Sequence, residues 1–278
     1  MKRLVLILLT AVSLVSCRKW VLEYRTPCPS YLFFDIRNRN ILSDSDAVFT
    51  AVYSQPGGIF LDDGTATAGQ IRDKAFFFLI KNTPAVRGYG LVGNASLIRE
   101  GSLWRCPSGR DYAPLFRFQY SEAVGVESFT VPVEFVKDYC HVTVRFIGFE
   151  GFQTHDGAFP FNIVIHGNTN GIDALDGEPL RGPYEFAPKE GTTAGQFEFN
   201  IPRLADASLS MELHGREGIL DESGLVRSID LFEKIRQNGG VDWKQKNLPD
   251  MVLEIDFVRW EVSVTIDAWE QKNLFYEY

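Results

Sequence analysis

The chain has 278 residues with 22 Phe, 10 Tyr, 24 Gly and 13 Pro against only 3 Met, and a formal charge of −8. Aromatic side chains suit pleated, half-buried surfaces, and Gly and Pro at this density punctuate many short segments, so the composition points to an all-β protein. The acidic balance argues against a nucleic-acid binder and against a body held on anionic lipid by charge.

Residues 1–16 read as an export signal. Lys2 and Arg3 form a basic n-region, residues 4–12 an apolar run too short to span a bilayer, and Leu14-Val15-Ser16-Cys17 a small-residue cleavage site. Cutting between Ser16 and Cys17 leaves 262 of the 278 residues, enough for one large or two medium domains. The signal carries two positive charges and no negative one, so the mature chain stands at −10. This segment resembles the lipobox of bacterial lipoproteins, which implies Cys17 as the lipidated mature N-terminus. Two or more acyl chains give stable anchoring, because each buried methylene contributes about 0.8 kcal/mol.

Residues 17–29 follow as a lipidated tether of mixed polarity with two prolines. The first strand is predicted over 31–37, where Leu32, Phe34 and Ile36 share a face, and a second over 47–53. Residues 56–73 are rich in Gly and Asp and read as turns around residues 59–61. The run 75–81, AFFFLIK, is short and continuously apolar, as a central strand covered on both faces would be. Segment 86–92 is interrupted by Gly88 and Gly90, a loop surrounds Trp104-Arg105-Cys106-Pro107, and 115–120 is another strand.

From residue 128 the alternation sharpens. Phe129, Val131, Val133 and Phe135 share one face, and Pro132 places this strand at a sheet edge because it cannot donate to a ladder. Cys140, Val142, Val144 and Phe146 alternate next. Two β-sandwich domains are therefore expected, 30–132 and 133–278. In the second, alternating runs occur at 159–165, 197–201 and 209–213, separated by a turn-rich stretch at 167–183. One helix is predicted over 224–238 from Leu225, Ile229, Phe232 and Ile235, with Ser223 as its cap and Gly239-Gly240 as its stop. Strands at 251–257 and 259–266 precede Trp269 and an aromatic tail.

Candidate chemistry is sparse. Gly88, Gly90 and Gly93 satisfy G-x-G-x-x-G, but no amphipathic helix or βαβ alternation surrounds them, so turns or bulges are expected instead of a dinucleotide site. Asp62-Asp63-Gly64, His155-Asp156-Gly157 and the acidic residues of 173–176 could offer oxygen ligands or a carboxylate pair, yet they match turn chemistry better. His141, His155, His166 and His214 are scattered, and no G-x-S-x-G elbow is present. No catalytic residue, cofactor or metal is expected. Apart from Cys17, the cysteines are Cys28, Cys106 and Cys140, an odd number. Cys140 lies on an apolar strand face and is expected to be a buried free thiol, and a Cys28–Cys106 disulfide is an available pairing.

In its order of elements the mature chain resembles the fimbrillin-associated anchor proteins of Bacteroidetes, minor fimbrial lipoproteins of the Mfa2 and FimB kind. The matching features are Cys17, the Cys28-Pro29 pair before the first strand, Val131-Pro132-Val133 leading into 142–146, and the terminal Val262-Ser263-Val264-Thr265-Ile266 near Trp269. The resemblance implies two tandem transthyretin-like antiparallel β-sandwiches in a non-enzymatic subunit that fixes a surface pilus to the outer membrane. It further implies pilin partners joined by β-strand addition. Shaft subunits of such systems are cut after an arginine, and Arg25, Arg37 and Arg39 are placed where that could yield a processed stalk or tip pilin. The rival class is a surface glycan-binding lipoprotein, stacking sugar on Trp104, Tyr112 or Trp243. A hydrolase built on the Asp clusters ranks last.

Overall fold

The computed structural model describes residues 29–37, 46–125, 127–151, 154, 157–216 and 225–267. The export signal with Ser16 and Cys17, and also Arg25, Cys28, Arg39, His155, Asp156, Ser223 and Trp269, lie outside these.

The first sandwich packs a three-stranded sheet on a five-stranded one. In spatial order the smaller sheet holds β4 (Phe78–Ile80), β1 (Ser30–Ile36) and β9 (Ser128–Val133). The larger holds β10 (Val136–Lys137), β8 (Phe116–Ala123), β5 (Ala85–Val92), β2 (Ala47–Gln55) and β3 (Gly58–Ala66). Leu32, Phe34 and Ile36 of β1 and Val131 and Val133 of β9 meet Phe49, Phe118 and Tyr120 between the sheets. The alternation read in these segments is thus the alternation between core and solvent.

The second sandwich has a four-stranded sheet, β14 (Gln196–Pro202), β11 (Tyr139–Ile147), β17 (Asp250–Asp256) and β18 (Val262–Asp267). Facing it are β16 (Leu225–Asp230), β15 (Ser210–Gly215), β12 (Phe161–Asp173), β7 (Leu103–Arg105) and β6 (Ile98–Glu100), with β13 (Pro179–Phe186) also on β12. The chain is all-β, and its pairing is antiparallel except where β1 joins β9 and β11 joins β17 in parallel.

Several local expectations change: the turn-rich stretch 167–183 is mostly the end of β12 and the start of β13, paired with each other, and the loop around Trp104 begins inside β7. The region 56–73 is not all turn: it contains β3 and a short helix, α1 (Ala68–Arg72), closed by a capping box between Thr67 and Gln70. The apolar run 75–81 supplies only the three residues of β4, at the edge of its sheet, while Phe76 packs on the core and Phe77 faces outward. Gly88 and Gly90 lie inside the continuous strand β5. A Cβ at Gly90 would fall 2.1 Å from the Phe118 ring and one at Gly88 2.0 Å from the Thr50 carbonyl, so these glycines make room for packing rather than for turns.

The predicted helix 224–238 is also corrected. Residues 225–230 are β16, paired with β15, and α2 (Leu231–Gln237) begins only at the N-cap Asp230, which accepts from the Glu233 amide at 2.8 Å. The helical spacing read in the sequence merged Leu225 and Ile229 of the strand with Phe232 and Ile235 of the helix; Ile229 and Ile235 are buried in one core and Phe232 packs against it. Pro132 does lie on an edge strand, β9.

The two sandwiches are not segregated in sequence. The β6–β7 hairpin comes from the first half of the chain but pairs with β12, in register Gly171 to Arg105 and Ile172 to Trp104. Gly171 is obligatory there, since a Cβ would lie 2.1 Å from the Trp104 carbonyl oxygen. Tyr89 and Leu91 of β5 belong to the second core, whereas Val86 and Val92 of the same strand belong to the first.

Candidate functional site

Two places stand out in the described structure: the slot filled by β1 and the junction between the sandwiches. β1 is the first described strand and sits in the middle of its sheet. It pairs in parallel with β9 over six register positions, from Tyr31 with Ser128 to Ile36 with Val133, and antiparallel with β4 over three. The Phe34 ring is surrounded by those of Phe49 at 4.7 Å, Tyr120 at 5.6 Å, Phe78 at 6.0 Å, and Phe76 and Phe118 at 6.1 Å.

Burying Leu32, Phe34 and Ile36 contributes roughly 1.5–3 kcal/mol each, a sum comparable with the whole stability of a small domain. The slot therefore needs an occupant, either β1 itself or a strand of the same pattern. The exposed Arg37 closes β1, its amide donating to the Val133 carbonyl at 3.0 Å. On the opposite sheet of this sandwich, β3 is an edge strand along which residues 59–61 are exposed, Ile59 at 78%. Such an apolar edge is open to an additional strand.

At the junction, Lys137 and Asp138 are buried, which their charge did not announce. Asp138 accepts from Arg117 Nε of the first sandwich at 3.1 Å and from Arg203 Nε of the second at 2.7 Å. Arg203 Nη1 donates onward to the Trp243 carbonyl and to that of Gln245 at 2.9 Å. Lys137 Nζ donates to the Leu248 carbonyl at 3.0 Å and to Asp250 Oδ1 at 2.5 Å, and lies 4.4 Å from the Tyr139 ring centre. Buried charges persist only when paired and hydrogen-bonded, so this network sets the geometry between the sandwiches. The signal in the sequence was a Lys-Asp pair set between two apolar alternations.

The remaining candidate residues are accounted for locally. Trp104 and Tyr112 are buried, so neither can stack a sugar: Trp104 Nε1 donates to Tyr89 Oη at 3.3 Å, and the Tyr112 amide donates to Tyr184 Oη at 3.2 Å. Trp243 is half-buried. Asp63 accepts from Thr50 Oγ1 and Arg99 Nη2, both at 2.7 Å. Burial pushes its carboxyl up, but those hydrogen bonds and the Arg99 charge outweigh that and hold it below the usual carboxylate range. Asp173 Oδ1 accepts from the Leu175 amide at 3.0 Å, a turn contact. His166 and His214 both approach Glu212, at 3.4 and 3.0 Å, and His141 Nδ1 meets Asn200 Oδ1. No group able to hold a metal ion is present among the described residues.

Cys140 is a buried free thiol, as its strand face predicted, and burial pushes its pKa up. Cys106 is buried against the carbonyls of Arg110 and Asp111, at 3.4 and 3.5 Å, and burial raises it to about 11.

No family model matches the sequence, and no curated protein matches it. Solved structures do share the fold. A candidate adhesin from Bacteroides thetaiotaomicron aligns with a TM-score of 0.56 at 13% identity, over 87% of this chain and 97% of its own. A candidate adhesin from Bacteroides ovatus aligns at 0.57 and 10% identity, over 87% and 94%. The fimbrial anchor protein Mfa2 from Porphyromonas gingivalis aligns at 0.54 and 10% identity, over 87% and 98%. At these identities the likeness is one of fold, and it agrees with the two-sandwich fold expected from the fimbrial-anchor resemblance.

Proposed function

We propose that this chain is a lipid-anchored minor subunit of a Bacteroidetes-type fimbria, holding the pilus at the outer membrane and meeting pilins by β-strand addition. In this reading residues 1–16 are removed, Cys17 carries the lipid, 17–29 are the tether, and 30–132 and 133–278 supply most of the two units, with the β6–β7 hairpin crossing into the second and β10 into the first. The observation that carries it is the placing of β1. The strand that follows the tether is inserted in mid-sheet between β4 and β9, so tension on the lipid would be resisted by two ladders and a buried apolar face at once. The fold shared with a fimbrial anchor protein supports the same reading, and the exposed edge of β3 suits an incoming pilin strand. No enzymatic step is part of this function.

A second reading, a processed stalk or tip subunit, is favoured by the exposed Arg37 at the end of β1, because cleavage there would free the slot. The test is to purify the protein from its native membrane with its bound partners and to determine the mature N-terminus by intact mass. An acylated Cys17 with pilins attached supports the anchor. A chain beginning after Arg25, Arg37 or Arg39 overturns it in favour of processing, and acylated protein without pilins overturns the fimbrial role.

A further inference from the structure

The junction between the sandwiches opens into a cleft of about 830 Å³, within the range of small-molecule sites. Its walls come from both halves: Arg117 and Gln119 of β8 on one side, and Gly177, Arg181, Arg203 and Trp243 on the other. Arg203 is spent on structure, with its nitrogens given to Asp138 and to the carbonyls that hold the loop carrying Trp243. Arg117 is not. Its side chain is only 10% exposed, its Nε is engaged by Asp138, and its Nη1 and Nη2 have no hydrogen-bond partner among the described residues. The Gly177 turn lies over this guanidinium: at φ +79°, a Cβ there would sit 2.9–3.1 Å from Nη1, Nη2 and Cζ.

A nine-tenths buried guanidinium with both terminal nitrogens free at a cleft is complementary to a planar oxyanion, which it can grip through two parallel hydrogen bonds. The rim adds Arg181, Lys244 and Lys246, with Glu134 already paired to Lys246 at 2.9 Å and Glu178 as the other acid. The lining is thus locally basic on a chain of net charge −8. Phe118 and Leu204 at the wall are buried and the half-buried Trp243 packs in part on the second core, which leaves the outer part of Trp243, Gln245 and Gln119, whose Nε2 already donates to the Leu175 carbonyl at 2.7 Å, to face a ligand. A ring with hydroxyls around its edge and C–H groups on its face fits that mixture better than an apolar peptide side chain does.

We infer that this cleft binds an acidic saccharide, with a uronate carboxylate on Arg117 Nη1 and Nη2 and a sugar ring beside Trp243. The inference stands whether or not Cys17 is acylated.

The test is calorimetric titration of the full mature chain with a hyaluronan tetrasaccharide, which carries carboxylates, and with neutral chitotetraose of the same length. Hyaluronan should bind at least about tenfold more tightly than chitotetraose, a difference of about 1.4 kcal/mol. Arg117→Lys should weaken it by about tenfold, because an ammonium cannot form the paired hydrogen bonds. The exposed rim changes Arg181→Gln and Lys244→Gln leave the buried network intact and should each weaken binding about threefold and reduce its salt dependence. Equal affinity for the two sugars, no binding of hyaluronan up to about 10 mM, or unchanged affinity in both rim variants would overturn the assignment. Tighter binding of a tetraglutamate peptide than of hyaluronan would overturn it in favour of an acidic peptide.

Discussion

The two sandwiches share a plan and differ in how they end it. In each, one inner strand lies between an antiparallel neighbour and a parallel one: β1 between β4 and β9, β11 between β14 and β17. The second adds β18 outside β17, while in the first β9 remains the edge. β11 also pairs with β14 over seven register positions, where β1 has three with β4. A strand held by a shorter ladder, next to an unprotected edge, has fewer backbone hydrogen bonds to lose if it is displaced. The first sandwich is therefore the adaptable half and the second the closed frame, which even borrows the β6–β7 hairpin from its neighbour.

The sharpest way to break this comparison is to cut β1 free. With a protease site placed in 38–45, cleavage should lower the stability of the first sandwich by roughly 5–9 kcal/mol, from three buried apolar side chains at 1.5–3 each. Denaturant unfolding followed by tryptophan fluorescence and amide exchange should show the second sandwich unmoved, and a synthetic peptide of residues 30–37 should restore the first. Loss of both sandwiches together would mean that they form one cooperative unit.

The junction comes next in size. Asp138→Ala leaves Arg117 and Arg203 without their shared carboxylate and should cost about 3–5 kcal/mol. It should also widen the separation between the unfolding of the two sandwiches, read by calorimetry. A smaller effect is expected at Gly171. The alanine methyl would collide with the Trp104 carbonyl, costing about 1–3 kcal/mol and loosening the β6–β7 hairpin, visible as faster amide exchange at 98–105.

The smallest effect concerns pH. The folded-state carboxyl of Asp63 is held below its ordinary value, so its stabilisation is present above that value and lost as pH falls through the lower, folded-state one. The pair is 44% exposed on the Asp63 side, which limits the effect to about 1 kcal/mol or less. The difference in unfolding free energy between wild type and Asp63→Asn should hold at neutral pH, begin to shrink below about pH 4 and vanish only as pH falls through the lower folded-state value.

Much of the strand content was legible because a half-buried sheet writes itself as a period of two. Leu32, Phe34 and Ile36, or Val142, Val144 and Phe146, announce a face without any partner being known. The helix was misplaced because Ile229 of the strand and Phe232 and Ile235 of the helix meet one core from two kinds of backbone, and spacing alone cannot separate them. Trp104 and Tyr112 were read as surface aromatics because a large polar-tipped ring is written identically whether it stacks on a ligand or is buried with its polar atom satisfied.

The sequence by itself determined the class of fold, the faces of its strands, the edge position marked by Pro132 and the buried thiol of Cys140, since each depends on local pattern or on one residue's chemistry. Only the tertiary structure decided which strands are neighbours, that two pairings are parallel, that residues 98–105 complete the opposite sandwich, and that Arg117, Asp138 and Arg203 converge across sequence separations of 21 and 65 residues. Those are properties of chain closure over long distances, where a ladder or an ion pair gains its energy from a partner that no local pattern specifies.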